Sequence, residues 1–524
     1  MKGGWYLPTW LLLSGFLLVA LQVEASVHNY KNGKFLAESN AFIYWGGNEG
    51  LFASSEHVRG NGAANGRSFI SFESVTFTRS AEAAAKHEGG STNSQVEALI
   101  VEVKDKSKIG DHNAFGGKLA LCCTADLHKS IGCLEGNVII NQDVDDWPRS
   151  IVTQFRGSQR EAKLEFQKVN ITKTGMYTLI FVACERELEG LIVDGHTVWK
   201  NPMGYLPGRM APFMSFYAFM ALAYGLLGVL WFLQYMRNWK DILQLQNCIS
   251  AVIALGMAEM ALWYFEYLNF NMTGLRPMGI TMWAVTVGAV KKTVSRLLIL
   301  VVSMGFGVVR PTLGGLTSKV LLLGGTYFLA AESLDVVENV NTINDPPGKE
   351  RLFLVLPVAM LDAFFILWIF TSLSRTLEKL QARRRFAKLE LYRKFTNSLA
   401  LAVVVSVLWI GYELYFKATD PLGERWQSFW IIPAFWYVLA FVLLFVICVL
   451  WAPSQNSTRY AYSEEVGEDF DEEEAVGLTA TTTSSKPTVV EVEKGGAKPD
   501  AKERKPINTD VFSLDDELEE DKRD

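Results

Sequence analysis

Seven apolar runs follow one another in the second half of the chain, near residues 212–236, 245–268, 277–309, 319–340, 352–374, 396–416 and 428–451. A helix of about 20 apolar residues crosses a hydrocarbon core, so the pattern predicts seven membrane spans. The third run is interrupted: Met278 to Val290 is apolar, Lys291-Lys292-Thr293-Val294-Ser295-Arg296 is polar, and Leu297 to Val309 is apolar again. Neither half reaches ~20 residues alone, which predicts one long helix with three cations near its middle. On a helical wheel Thr281, Gly288, Lys292, Ser295, Arg296 and Ser303 share one face. A charge at that depth has to turn toward a bundle interior or a wet cavity and meet an opposite charge. Glu259, Glu332, Asp335, Asp362 and Glu413 lie in the neighbouring runs. Lys291, Lys292, Ser295, Arg296, Glu259, Glu332, Asp335 and Asp362 are therefore the expected intramembrane polar set. The set is either an ion-pair network that holds the bundle together or a cavity for a ligand, lipid headgroup or ion, and the pairing stays open.

Residues 26–208 read differently. Short stretches alternate apolar and polar positions at Phe69 to Phe77, Val96 to Val103, Lys118 to Cys123, Asn137 to Asn141, Lys163 to Val169 and Met176 to Cys184, with Gly, Asn and Asp between them. Period-two alternation predicts an antiparallel β-sandwich. Ahead of it, Lys2, the apolar stretch Trp10 to Leu21 and Val23-Glu24-Ala25 make residues 1–25 an expected secretory signal. The sandwich is then lumenal or extracellular, a compartment that permits disulfides. Cys122, Cys123, Cys133 and Cys184 fall within it, and two disulfides are expected, with Cys133 and Cys184 taking the adjacent Cys122 and Cys123 in either order. Asn170-Ile171-Thr172 and Asn271-Met272-Thr273 are glycosylation sequons, so Asn170 and Asn271 are candidate acceptors. All six histidines are in this part and are expected at the surface.

No nucleophile elbow, zinc-protease helix, phosphate loop or regular Cys/His spacing occurs, so the sequence predicts a recognition protein rather than an enzyme, with no cofactor, no metal and no nucleic-acid partner. The net charge of −6 hides an acidic tail, residues 453–524, attached to a mildly basic body. The tail is expected to be disordered, its acidic clusters either solvating the chain or read by sorting adaptors. Bases recur after the first run (Arg237, Lys240), around the loop after the third (Arg310, Lys319) and between the fifth and sixth (Arg375 to Lys394, including Arg383, Arg384 and Arg385). These loops share one side only if the third run crosses once. By the positive-inside rule that side is cytosolic. The stretch Arg375 to Lys394 is expected to be a helical extension that touches anionic lipid, with Arg383, Arg384 and Arg385 a candidate surface for a cytosolic partner.

Several segments resemble the lung seven-transmembrane receptor family, also described as Golgi-dynamics-domain seven-transmembrane proteins. They are Thr174-Gly175-Met176-Tyr177 with the strand running to Cys184, Asn201-Pro202-Met203-Gly204-Tyr205-Leu206-Pro207, Val290-Lys291-Lys292 with Ser295-Arg296, Val309-Arg310-Pro311-Thr312-Leu313-Gly314, Leu391-Tyr392-Arg393-Lys394-Phe395-Thr396-Asn397 and Leu450-Trp451-Ala452-Pro453-Ser454. The likeness runs from about residue 160 to 465 and is nearest to a plant member or the transmembrane-87 branch. It implies a lumenal sandwich (26–208) on a seven-helix domain (209–452), resident in Golgi, trans-Golgi, endosomal or plasma membrane. Its implied role is trafficking, with the sandwich and bundle cavity engaging lipid or a membrane-associated cargo. Alternatives are a receptor coupling to a G protein and, in one branch of the family, a cation channel or transporter. This chain departs from the channel-type pattern in having no acid between Trp283 and Val287. It also lacks the Asp-Arg-Tyr triplet of rhodopsin-like receptors, ending its third run in Val309-Arg310-Pro311.

Overall fold

The computed structural model describes residues 26–53, 67–86, 94–111, 119–141, 147–306, 316–340, 349–384, 386–420 and 423–453. The expected signal segment, Arg310, Arg385 and the acidic tail lie outside the described residues. Among the described residues ten strands form two antiparallel sheets: β1 (Val27–Lys34), β2 (Leu36–Glu38), β3 (Ala41–Leu51), β4 (Phe69–Thr78), β5 (Gln95–Glu102), β6 (Arg149–Gln154), β7 (Glu161–Lys163), β8 (Gln167–Asn170), β9 (Gly175–Ala183) and β10 (Ile192–Lys200). One sheet runs β1-β10-β4-β7 with β8 also on β4, and the other runs β2-β3-β9-β5-β6. Their facing side chains, among them Phe72, Phe77, Phe181, Tyr177 and Trp199, are almost fully buried. Alternation had located β4, β5 and β9. Residues around Cys122 and Val138 form only isolated bridges, and the run Lys163 to Val169 breaks into β7 and β8.

The predicted sulfur chemistry is resolved as Cys122–Cys184 and Cys123–Cys133. Asn170 ends β8 with its side chain exposed.

Seven long helices follow among the described residues: α1 (Ala211–Arg237), α2 (Gln244–Thr273), α3 (Met278–Ser303), α4 (Leu316–Val340), α5 (Lys349–Ala382), α6 (Phe386–Thr419) and α7 (Ile431–Leu450). Six of them are long and apolar enough to cross a membrane. The other is α3, a continuous helix of 26 residues that carries the three cations, about 39 Å long at 1.5 Å per residue. It stops at Ser303 rather than at Val309, because Gly305 enters the left-handed region (φ +86°) that unwinds the next turn. The basic stretch Arg375 to Lys394 is not a helix of its own. α5 runs on to Ala382 and α6 begins at Phe386, so the bases decorate two helix ends joined by a tight turn with Arg384 at φ +51°.

Sandwich and bundle meet through the segment Asn201 to Pro207. The Asn201 Oδ1 accepts from Phe52 N (2.9 Å), and its Nδ2 donates to Leu206 O (2.9 Å) and Gly50 O (3.3 Å). Asn271, in the last turn of α2, donates from Nδ2 to Met203 O (3.1 Å) and accepts from Leu206 N at Oδ1 (3.2 Å). A Cβ on Gly204 would lie 2.2 Å from that Oδ1, so only glycine fits there. Asn271 thus serves as a clasp between the two halves.

Candidate functional site

α3 is the axis of the bundle, and its cations fan out to different neighbours. Lys291 reaches α2, where its Nζ donates to Glu259 Oε2 at 2.5 Å, with side-chain exposures of only 6% and 2%. The ammonium also lies over the rings of Tyr224 (5.6 Å) and Tyr437 (5.7 Å), which adds cation–π attraction in an apolar setting. Gly288, one turn earlier, admits the carboxylate: a Cβ there would be 2.9 Å from Glu259 Oε1.

Lys292, the next residue, is turned about 100° around the helix and meets α4. Its Nζ donates to both carboxylate oxygens of Asp335, at 2.7 and 3.0 Å. Arg296 reaches α5, donating from Nε to Asp362 Oδ1 at 2.6 Å while its guanidinium covers Tyr327 at 4.5 Å. Glu332 forms no ion pair among the described residues. It accepts from Thr286 Oγ1 at 2.8 Å, and its Oε2 is buried without a partner among the described residues. Ser295 is half-buried and makes no hydrogen bond among the described residues. Glu413 pairs with Lys417 on its own helix at 2.6 Å, away from this network.

A fourth pair had not been singled out from the sequence. Arg276 Nε donates to Glu266 Oε1 at 2.6 Å, and Arg276 Nη1 donates to Asn339 O at 3.1 Å. Glu266 is fully buried and also accepts from Thr281 at 3.3 Å. The available signal was its spacing: seven residues after Glu259, it lies two turns along the same face of α2.

Beside Lys292 lies a cavity of about 250 Å³. Its walls combine aromatic rings (Phe213, Tyr217, Trp263, Tyr267 and Tyr437) with Glu259, Lys292, Asp335, Glu338 and Asn339. Phe213 is in the first turns of α1 and Tyr267 near the end of α2, so the cavity extends from the sandwich end toward the middle of the bundle. Apolar walls with a few convergent polar groups are what small-ligand pockets have in common. The Lys292–Asp335 pair is also less shielded than Lys291–Glu259, with side-chain exposures of 39% and 17%. One lysine is locked into packing; its neighbour borders open space.

Above the cavity, at the sandwich end, His28 Nε2 lies 2.9 Å from Glu49 Oε1, both side chains buried. This departs from the expected surface placement of the histidines. Burial holds the Glu49 carboxyl above its ordinary range, against the pull of His28 and Arg209. Burial likewise draws the Arg209 guanidinium down, against the pull of Glu49 and Tyr267. Arg209 also lies over Phe429 (5.4 Å).

Residues 212–458 match the family described as GOST, seven transmembrane domain. The chain is 38% identical to transmembrane protein 87B of Mus musculus over 283 residues, covering 53% of this chain and 50% of that protein. It is 37% identical to transmembrane protein 87A of Xenopus tropicalis over 282 residues, 53% of this chain and 51% of that protein. Membrane protein PTM1 of Saccharomyces cerevisiae is 25% identical over 325 residues, 60% of each chain. The chain thus spans about half the length of the vertebrate relatives it matches.

Proposed function

Because the chain belongs to the GOST seven-transmembrane family, in its transmembrane-protein-87-like branch, we propose that it is a trafficking protein of Golgi, trans-Golgi or endosomal membranes whose bundle cavity takes a lipid headgroup or the membrane-bound part of a cargo. In this reading the sandwich is lumenal and the basic turn between α5 and α6 faces the cytosol, in keeping with the positive-inside rule. The observation that carries it is the placement of Lys292 and Asp335 on the wall of an aromatic-lined cavity inside an apolar bundle. Charges left partly open at such depth are costly unless a polar group occupies the space beside them. A zwitterionic or anionic headgroup supplies that group.

The test has two arms. Protein purified in mild detergent is analysed by native mass spectrometry for retained phospholipid; Lys292→Ala is expected to lose the lipid that the parent and Arg383→Ala retain. A fluorescently tagged chain truncated after residue 453 is expected to leave the Golgi and endosomal compartments if the tail engages sorting adaptors. Identical lipid retention in Lys292→Ala, together with unchanged location of the truncated chain, would overturn the proposal.

A further inference from the structure

Among the described residues the β-sandwich is open along one side. Phe155 N donates to Ser94 O at 2.8 Å, and this bond continues the register that pairs Thr153 with Val96 and Ile151 with Ala98. In an antiparallel ladder the bonded pairs alternate with unbonded ones, so the peptide groups of Ser150, Val152 and Gln154 point away from β5. On the other sheet, Arg79 N donates to Arg160 O and Leu164 N to Val75 O, both at 2.9 Å, which turns the peptide groups of Glu161 and Lys163 outward in the same way. Among the described residues these outward peptide groups meet no partner. Both edges border one groove of about 840 Å³.

Open edges are ordinarily blunted by charge, proline or a bulge. β7 follows that rule, with Glu161 and Lys163. On β6 the proline and the charge are confined to its start, Pro148 and Arg149, while Ser150 to Gln154 reads Ser-Ile-Val-Thr-Gln with neither, its register with β5 is unbroken, and Val152 is 46% exposed. The facing wall carries Arg156, Arg160 and Lys163 against Glu161 and Glu165. Pairing of β6 with a second copy, centred on Val152, would set Arg149 opposite Phe155 and Pro148 opposite Arg156, and would bring no acid to the cationic wall.

We propose that this groove is a strand-addition site, in which an extended acidic peptide segment of a lumenal partner pairs with β6 and directs its carboxylates toward Arg156 and Arg160. Main-chain hydrogen bonds supply the affinity and the cationic wall the selectivity, as in other sheet-edge recognition. The proposal rests on the sandwich being lumenal, as in the trafficking reading, but it does not involve the bundle cavity.

The probe is a blocked, fluorescent octapeptide alternating valine and glutamate, compared with one alternating valine and lysine, added to the purified full-length protein in micelles. Saturable binding of the acidic peptide is expected, about tenfold tighter than the basic one, with slowed amide exchange at Val152 and Gln154. Val152→Pro removes the outward N–H without touching the β5 ladder and is expected to weaken binding about tenfold. Arg156→Glu with Arg160→Glu should reverse the preference between the peptides, a readout that a merely unfolded variant cannot give. Absence of saturable binding by either peptide, slow exchange at Val152 in the free protein, or binding indifferent to both sets of substitutions would overturn the proposal. If Lys292→Ala still releases lipid while no peptide binds, this inference alone has failed.

Discussion

Trp426, on the connection between α6 and α7, covers Gly50 of β3 so closely that a Cβ on Gly50 would lie 2.7 Å from the indole ring. Gly208, just ahead of α1, backs the same ring at the same distance, and its N donates to Gly50 O at 2.8 Å. Phe52, Val103 and Met176 complete the pocket around an indole that is 5% exposed. The last two helices are therefore tied to the sandwich by one side chain seated on two glycines.

Truncating that side chain empties a well-packed pocket. Trp426→Ala is expected to cost about 3–5 kcal/mol, the range for removing a buried tryptophan, and Gly50→Val is expected to expel the ring instead of leaving a hole. Thermal unfolding with limited proteolysis at the connection near Trp426 reads both. A melting temperature within error of the parent for either variant would show that the contact does not hold the two parts together.

The two adjacent lysines of α3 are expected to differ. Lys291→Leu leaves Glu259 buried without its cation, and breaking a buried pair this way costs about 3–5 kcal/mol. Lys291→Met combined with Glu259→Leu should recover most of that loss, since an apolar pair of similar volume has no charge to desolvate. Lys292→Leu should be milder, because its pair borders the cavity and is more exposed. Equal destabilisation by Lys291→Leu and Lys292→Leu in the same detergent would contradict this division.

The disulfides also separate by loop length. Cys122–Cys184 closes 62 residues and ties the 122–140 segment to β9, whereas Cys123–Cys133 closes only 10. Loop-closure entropy makes the longer link worth roughly 4 kcal/mol and the shorter about 3 kcal/mol. The double variant Cys122→Ala/Cys184→Ala should therefore lower the melting temperature more than Cys123→Ala/Cys133→Ala. The reverse order, with free thiols counted to confirm the remaining bridge, would argue against the entropic account.

Glu49 gives the sandwich a defined pH response. Burial raises its carboxyl pKa in the folded protein. A group raised in this way contributes stability that is fully present below its unfolded value and is lost as pH rises through the folded value. Glu49→Gln removes the titration and keeps an oxygen that can accept from His28. The melting temperature of the variant relative to the parent should thus increase from acidic to neutral pH; a difference that is flat or falls over that range would count against it.

How much of this was legible beforehand depends on what each feature requires. Hydropathy placed seven apolar segments and the continuity of residues 278–303 as one helix, because the length needed for a hydrocarbon core adds up along the chain. Period-two alternation located β4, β5 and β9, yet it passed over β1, whose Val-His-Asn-Tyr-Lys-Asn-Gly-Lys has no apolar face to read. The need for acids opposite Lys291, Lys292 and Arg296 also followed from sequence, since an unpaired charge cannot remain in lipid.

Which acid meets which cation was decided only by the fold. Lys291 and Lys292 are neighbours in sequence, and it is the rotation of α3 about its axis that sends one to Glu259 and the other to Asp335. Glu266 and Arg276 escaped notice because each sits at the edge of an apolar run, where a charge carries no penalty until a third helix buries it. The order of the disulfides, the clasp at Asn201 and Asn271 and the open edge at Val152 likewise join residues tens of positions apart or depend on a strand that did not arrive. Apolar length is a property of a segment; azimuth, register and contact belong to the whole assembly, and no local pattern encodes them.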